Sequence, residues 1–235
     1  MTGSELRNLF DIQYNNIFSG YAPGINDYER SIYLTKAVKE LVQTYYTGQA
    51  DGNPVDSTEE LRELLAFYTK EKNISELQQT TSRFTFTESI IPLDNTVWYI
   101  LSEFVQVNEN WIKVSPIPYG MLHAMLNNPF RQPNAYKAYR TEINGTTGVE
   151  FRVYTKDAPT VYSMNYIETP DPIIIDNLNN TLPGLQIDGK NEINIPQYPN
   201  TWMWTLIVNR AVELATRDYK ANDLSTQVQL NSRVQ

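Results

Sequence analysis

The sequence contains no cysteine among its 235 residues. This absence excludes disulfide bonds, thiolate metal ligands and cysteine nucleophiles together. No stretch approaches the roughly 20 consecutive apolar residues that a membrane-spanning helix requires. The opening segment from Met1 to Glu5 shows neither the basic nor the apolar part of a secretory signal. We therefore expect no membrane association and assembly in a reducing cytoplasm.

The overall charge balance also opposes tight binding of nucleic acid, although no more than a local basic face would be needed for it. The 19 Lys and Arg residues are outnumbered by 27 Asp and Glu residues, which gives a net charge of −8. Affinity for nucleic acid comes from several cations placed against phosphates. The chain is instead rich in aromatic residues, with 16 tyrosines and 4 tryptophans. These residues are typical of subunit interfaces and also of β-strands, so the composition leaves both interpretations open.

Hydrophobic periodicity predicts a helical region from the first residue to about residue 79. Apolar residues recur at helical spacing between Ser4 and Ile17. The clearest helix starts at the capping-box sequence Asn26-Asp27-Tyr28-Glu29 and ends before Gly48. A second capping box, from Ser57 to Glu60, predicts another short helix.

The period changes to two between about residues 80 and 175, which predicts a β-rich region. Phe84 and Phe86 alternate with polar residues at its start. The other predicted strands are 97–107, 111–114, 136–143, 149–154 and 161–167. A short helix, Pro118–Asn127, is predicted between them. These features indicate a mainly antiparallel sheet with a short inserted helix.

The third region, residues 176–220, combines an irregular loop with a long helix that completes the core. The helix is predicted from about Thr201 to Lys220, and its apolar arc exceeds half the circumference. Residues 221–235 are polar and unpatterned, and they predict an extended tail that docks on a partner. The predicted fold class is therefore α+β, with helices at both ends and the sheet between them.

Residues that carry chemistry are sparse and have ordinary structural explanations. The only histidine, His123, lies on the short inserted helix among apolar residues, so we expect a surface or packing role rather than general-base catalysis. Glu59 and Glu60 suit the first turn of a helix, and Asp171 and Asp176 suit turns in a proline-rich loop. Phosphate-binding loops and nucleophile elbows are absent from the sequence. We predict no catalytic residue, no cofactor site, no metal site and no enzymatic activity.

Three stretches near the N-terminus form a distinctive block: Leu9–Ile17, Ala22–Gly24 and Tyr28–Ala37. The pattern continues in the stretches Asn127–Pro133, Asn165–Ile167, Pro170–Ile173 and Ile193–Ala215. In these stretches the chain resembles a structural protein of the crAss-like phages, tailed podoviruses that infect Bacteroidetes. Residues 53–79 and the polar tail take no part in the resemblance.

The resemblance implies a virion protein of the neck or portal-proximal region, assembled in the host cytoplasm. Neck subunits of such phages form cyclic oligomers, commonly dodecamers, around a DNA channel. Each subunit then contacts its neighbours through two different surfaces. The expected partners are further copies of the chain, the portal protein and adjacent neck or tail rings. DNA is expected to pass without sequence-specific binding.

Two alternatives belong to other functional classes. The aromatic strand Val97–Leu101 suggests a carbohydrate-binding or recognition module on a tail appendage, provided that its aromatic side chains are exposed. A cell-wall hydrolase carried in the virion is the other alternative, and the lone His123 and the missing nucleophile argue against it.

Overall fold

The computed structural model describes residues 1–17, 24–47, 58–81, 86–145, 148–180 and 184–232. Its helices are α1 (Gly3–Ile17), α2 (Asp27–Thr47), α3 (Thr58–Tyr68), α4 (Leu122–Leu126) and α5 (Thr201–Ser232). Its strands are β1 (Thr69–Ile74), β2 (Gln78–Thr81), β3 (Thr87–Pro92), β4 (Val97–Val107), β5 (Asn110–Pro116), β6 (Ala138–Asn144), β7 (Val149–Thr155) and β8 (Val161–Glu168). Helices at both ends of the chain enclose the strands in sequence, which confirms the predicted α+β class.

The chain divides into two compact units, and one of them is discontinuous in sequence. The helical unit comprises Met1–Phe67 and Pro170–Gln235, and the sheet unit comprises Tyr68–Thr169. The sequence predicts changes of region near residues 79 and 175, whereas the change of unit falls after Phe67 and after Thr169.

Helices α1 and α2 both begin with a capping box, in which two residues satisfy each other's backbone amides. At α2, the Glu29 amide donates to Asn26 Oδ1 at 2.8 Å, and the Asn26 amide donates to Glu29 Oε2 at 2.9 Å. These bonds confirm the predicted start of α2. At α1, Thr2 and Glu5 make the same exchange, at 3.3 and 2.8 Å. The third box begins at Ser57, outside the described residues.

The core of the helical unit is built from the apolar stripes of α1, α2 and α5. On α2 the apolar stripe predicted from the sequence ends with Tyr45, which is half-buried, and its other members are buried, namely Leu34, Ala37, Val38, Leu41 and Val42. On α5 the buried residues occupy a wide arc, as the sequence predicts, and they include Met203, Trp204, Ile207, Val208, Ala211, Val212, Leu214 and Ala215. Burying each large aliphatic side chain contributes about 1.5–3 kcal/mol, so these stripes hold the three helices together.

Helix α5 is longer than predicted. The sequence predicts an end near Lys220 and an extended tail beyond it, but α5 continues to Ser232. The physical reason is that no proline or glycine follows Pro199, so nothing in residues 221–232 stops the helix. Loss of the apolar pattern therefore did not mark the end of the helix.

An extended segment, Pro172–Asp176, is held against α2 by two buried hydroxyl groups. The Ile173 amide donates to Thr35 Oγ1 at 3.0 Å, and the Ile175 amide donates to Ser31 Oγ at 3.2 Å. Between them, Ile174 exchanges backbone hydrogen bonds with Asn194 at 2.9 and 3.0 Å. The segment thus satisfies its buried amides on both sides without belonging to a sheet.

The sheet unit must curl because of how its outermost strands are connected. The strand order is β1-β8-β4-β5-β6-β7-β3-β2, so β1 and β2 lie at opposite ends of the eight-stranded sheet. They are nevertheless joined by residues 75–77 alone. Such a link spans at most about 14 Å, whereas a flat sheet of this size would separate its outer strands by about 34 Å. The sheet therefore bends into an open barrel around its own apolar interior.

Strand β5 turns the corner between the two halves of the sheet. Its residues 110–113 pair antiparallel with β4, and its residues 114–116 pair parallel with β6. The other strand pairs are antiparallel, as predicted. A parallel pair needs a long crossover connection. Residues 117–137, which contain the predicted short helix as α4, provide it.

Two strands lie where the sequence predicts helix, and that part of the prediction is wrong. Strands β1 and β2 fall between residues 69 and 81. Strand β1 has the sequence Thr-Lys-Glu-Lys-Asn-Ile and pairs with β8 alone, so it shows the charged pattern of an edge strand rather than apolar alternation. Strand β3 was not predicted, and the predicted strand residue Phe84 lies outside the described residues.

We expect Thr35→Val to lower the free energy of unfolding by about 1–3 kcal/mol, because the Ile173 amide loses its buried acceptor. The measurement is urea unfolding, together with hydrogen exchange at the Ile173 amide, which should become faster.

Thr47→Val is the matched control on the same helix. The Thr47 hydroxyl is exposed and bonds the Gln43 carbonyl at 3.0 Å, so its loss should change stability by less than about 0.5 kcal/mol. Equal effects of the two substitutions would contradict the role given to Thr35.

Candidate functional site

A cluster of three interacting ionisable side chains lies in the interior of the curled sheet. Glu103 on β4 and Arg140 on β6 are each 4% exposed, and Tyr162 on β8 is fully buried. Arg140 Nε lies 2.8 Å from Glu103 Oε2, and the Tyr162 hydroxyl donates to the same oxygen at 2.7 Å. Strand alternation directs these three side chains inward together with one buried neighbour two positions away on each strand, namely Val105, Ala138 and Met164.

The Arg140 guanidinium is enclosed by further partners. It donates to Glu142 Oε1 at 2.5 Å, and its Cζ lies 3.9 Å from the centre of the Phe151 ring. Burial alone would lower the pKa of Arg140, but the Glu103 carboxylate and the hydrogen bonds raise it on balance. Burial, followed by the charge of Glu103, raises the pKa of the Tyr162 hydroxyl well above its ordinary value. The cluster is therefore an ion pair bonded to a neutral phenol.

This cluster links strands and is closed to an external molecule. Glu103, Arg140 and Tyr162 connect β4, β6 and β8 across the interior, so they join the two halves of the sheet on either side of the β5 corner. None of the three lines the groove on the surface of the sheet unit. Their arrangement supplies a structural bridge rather than an acid–base pair with access to substrate.

The surface groove of the sheet unit lies on the outward face of β1, β8, β4 and β5. Its volume is about 570 Å³, and Trp111 at its side is 53% exposed. The other lining residues are Glu71, Asn73, Phe104, Val161, Ser163 and Asn165. The groove combines an aromatic wall with amide, hydroxyl and carboxylate groups, which suits contact with another macromolecule.

The aromatic strand Val97–Leu101 does not form an exposed platform. The side chains of residues 97–100 are all half-buried, and the Trp98 and Tyr99 rings stack with their centres 4.9 Å apart. Val97 and Ile100 pack against the interior of the sheet. Leu101 is the exposed member, at 47%. The aromatic groups available for binding are therefore on other parts of the sheet unit.

The connection between β5 and β6, residues 117–137, carries the most exposed aromatic side chains described. We call it the crossover loop. Phe130 and Tyr136 are each 87% exposed, and Tyr119 and Met121 are 63% and 50% exposed. Nothing in the hydrophobic periodicity of the sequence distinguishes these residues from core aromatics, so sequence reasoning missed them. Their position in a crossover between parallel strands is visible only from the topology.

The predicted candidate residues do not converge on one site. His123 lies exposed on α4, while Leu122 and Leu126 of the same helix are buried against Tyr154. Glu59 and Glu60 lie in the first turn of α3, as predicted.

The two aspartates of the proline-rich loop have separate structural partners. Asp171 pairs with Lys190 at 2.7 Å. Asp176 Oδ1 accepts a hydrogen bond from the Asn177 amide at 2.8 Å, and its other oxygen lies 3.7 Å from Arg7 Nη2. The sequence predicts a turn role for both residues, and their ion pairs with Lys190 and Arg7 were not predicted.

Within the described ranges, no group of three or more His, Cys, Asp or Glu side chains is placed to hold a metal ion. In the same part of the chain, no helix has the length and apolar character needed to cross a membrane.

Comparison with known proteins gives similarity along the whole chain. The family described as phage tail ring protein 3/4 matches residues 1–227. The chain is 30% identical over 239 residues to Ring protein 4/5 of Bacteroides phage crAss001, and the match covers 99% of both proteins. It is 28% identical over 235 residues to Ring protein 3 of the same phage, covering 92% of this chain and 95% of that protein. Both units of the structure are therefore shared with these ring proteins.

We expect Arg140→Met to lower the free energy of unfolding by about 3–5 kcal/mol, because Glu103 is left buried without its counter-ion. The double substitution Glu103→Leu with Arg140→Met should lower the free energy of unfolding by far less than the sum of the decreases caused by the two single substitutions. Urea unfolding of the three variants measures this coupling.

Arg152→Met is the control, since Arg152 pairs with Glu88 at 3.2 Å and its side chain is 35% exposed. Its effect should be about 0–1 kcal/mol. If Arg140→Met lowers the free energy of unfolding no more than Arg152→Met does, the role of Arg140 as a structural bridge is contradicted.

The raised pKa of Tyr162 predicts a loss of stability at high pH. In the unfolded chain the hydroxyl ionises near pH 10, while in the folded chain it stays neutral, so the stabilisation is complete below about pH 10 and is lost above it. Tyr162→Phe should be less stable than the natural chain at pH 8, and the difference should shrink by up to about 1.4 kcal/mol per pH unit above pH 10. The measurement is urea unfolding of both chains from pH 8 to pH 11. A stability difference that stays constant over this range would contradict the raised pKa of Tyr162.

Proposed function

Because this chain belongs to the phage tail ring protein 3/4 family, we propose that it forms a closed homo-oligomeric ring in the connector between the portal and the tail. The family and its members are structural proteins of phage particles, so the chain is a structural ring protein of a crAss-like phage and is not an enzyme. This membership confirms the resemblance found in the sequence. The observation that carries the proposal is the match to ring proteins over nearly the full length of the chain.

A ring of identical subunits needs two different contact surfaces on each subunit, because its contacts are heterologous. Each unit of the chain offers exposed apolar side chains for such contacts. In the helical unit, Ile12 and Ile17 of α1 are 60% and 51% exposed. In the sheet unit, Phe130 and Tyr136 of the crossover loop are 87% exposed. This distribution supports a subunit that meets its two neighbours through different units.

The charge distribution supports passage of DNA without attachment. The sheet unit contains ten acidic and nine basic residues, which leaves seventeen of the 27 acidic and ten of the 19 basic residues in the helical unit. Cations placed against phosphates create affinity for DNA, whereas an excess of carboxylates repels it. An acidic channel wall formed by the helical units would let DNA slide through the ring.

The proposed partners are further copies of the chain, the portal protein and adjacent ring or tail proteins. The proposed location is the virion, after assembly in the host cytoplasm. The sequence of residues 221–232, the closing part of α5, is polar and unpatterned, and we propose that this part docks on a neighbouring subunit or on the portal.

The test is the mass of the purified chain, alone and mixed with its portal protein, by native mass spectrometry. We expect a ring of about twelve copies, which corresponds to about 325 kDa for a 27.1 kDa chain. A chain that remains monomeric in both samples would overturn the ring proposal.

A chain that stays monomeric would favour the tail-appendage alternative. The structural basis for that alternative is the groove beside Trp111. Exposed aromatic side chains beside amide groups are suited to binding glycans as well as proteins. Binding of a glycan to the monomer would then become the discriminating observation.

A further inference from the structure

The crossover loop has a charge opposite to that of the rest of the protein. No aspartate or glutamate occurs between Glu109 and Glu142, a stretch that contains the whole loop. Arg131 and Lys137 in the loop are both exposed, and neither forms an ion pair with any residue that the structure describes. The loop is therefore a small cationic surface on a chain whose net charge is −8.

The same loop presents its two most exposed aromatic residues from rigid turns. The Phe130 amide donates to Asn128 Oδ1 at 3.0 Å, and the Tyr136 amide donates to Asn134 Oδ1 at 2.9 Å. In both turns an asparagine side chain fixes the backbone two residues later. Side chains held in this way lose little conformational entropy when they bind a partner, so a preformed surface binds more strongly.

The loop is also anchored to the sheet at its helical part. Leu122 and Leu126 of α4 are buried against Tyr154, with Phe86 and Ile117 packed beside them. The Ile117 amide donates to the Arg140 carbonyl at 2.8 Å. A loop that is anchored and internally bonded, yet leaves phenylalanine, tyrosine and arginine exposed, has the residues that dominate the binding energy of protein interfaces.

From these observations we propose that the crossover loop of one copy docks on the acidic helical unit of the next copy in the ring. This inference rests on the proposed ring. The helical unit carries seventeen acidic and ten basic residues, whereas the sheet unit is nearly balanced, so charge complementarity selects the helical unit. A contact from sheet unit to helical unit is heterologous, as a closed ring requires.

Protein is a better match than DNA for this surface. Two exposed cations in the loop supply few phosphate contacts, whereas useful affinity for duplex DNA needs several. Exposed phenylalanine and tyrosine gain most when they enter a pocket on another protein.

The absence of cysteine provides a clean test. Phe130→Cys introduces a unique thiol at a side chain that is 87% exposed, so folding should be preserved. The purified variant is labelled at its thiol with a cleavable photo-crosslinker before assembly, the assembled ring is irradiated, and the products are identified by mass spectrometry. We expect a crosslinked pair of chains, about twice the 27.1 kDa of one chain. Its second attachment point should lie in residues 1–67 or 170–235.

Several results would overturn the docking proposal. They are a second attachment point within residues 68–169, a product containing another protein or nucleic acid, or no crosslinked product in rings assembled from the labelled chain. If such a result accompanies a ring of the expected mass, the docking proposal fails while the ring stands. If the chain never assembles as a ring, the proposed function itself fails.

Charge reversal supplies a second measurement. Arg131→Glu combined with Lys137→Glu should raise the concentration at which the ring dissociates by at least about tenfold. The control is Lys156→Glu in the exposed turn after β7, which should change the dissociation concentration less than about twofold per substitution. Equal effects of loop and control substitutions would count against docking by the loop.

Discussion

The connection of β1 to β2 is the constraint on which the sheet unit depends. The two strands lie at opposite ends of the strand order, yet residues 75–77 alone join them, so the sheet has to close toward a barrel. Closure creates an interior, and the interior encloses the ion pair between Glu103 and Arg140. Closure also needs a corner, which β5 provides by changing partners along its length. The parallel pairing at that corner in turn requires a long crossover, and this crossover carries the exposed aromatic residues.

The elements that the sequence predicted correctly are those specified by local signals. The capping box at Asn26 and Glu29 fixes the start of α2 through bonds between neighbouring residues. The turn between the predicted strands 97–107 and 111–114 is equally local, because Asn108 and Glu109 both adopt positive φ, as a two-residue hairpin demands. The elements that were wrong or missed depend on distant partners. Strand β1 is a strand because β8 pairs with it, and its own charged sequence carries no such information.

The candidate contact surface was less predictable than the fold. The scarcity of catalytic residues could be read from composition, and the family resemblance pointed to a virion ring. The sequence did not indicate which aromatic residues are exposed. The pattern around Trp98 and the pattern around Phe130 do not differ in a way that predicts burial. Topology separates them, since the first belongs to a strand in the middle of the sheet and the second to a crossover outside it.

The discontinuity of the helical unit has a consequence for how the chain is made. During synthesis the sheet unit is complete once Thr169 has left the ribosome, while α1 and α2 still wait for α5. The first segments to be synthesised are therefore the last to find their core partner, because α5 is the final element. A nascent chain carries a finished crossover loop and an unfinished helical unit. At this stage the chain carries one of the two proposed contact surfaces and lacks the other.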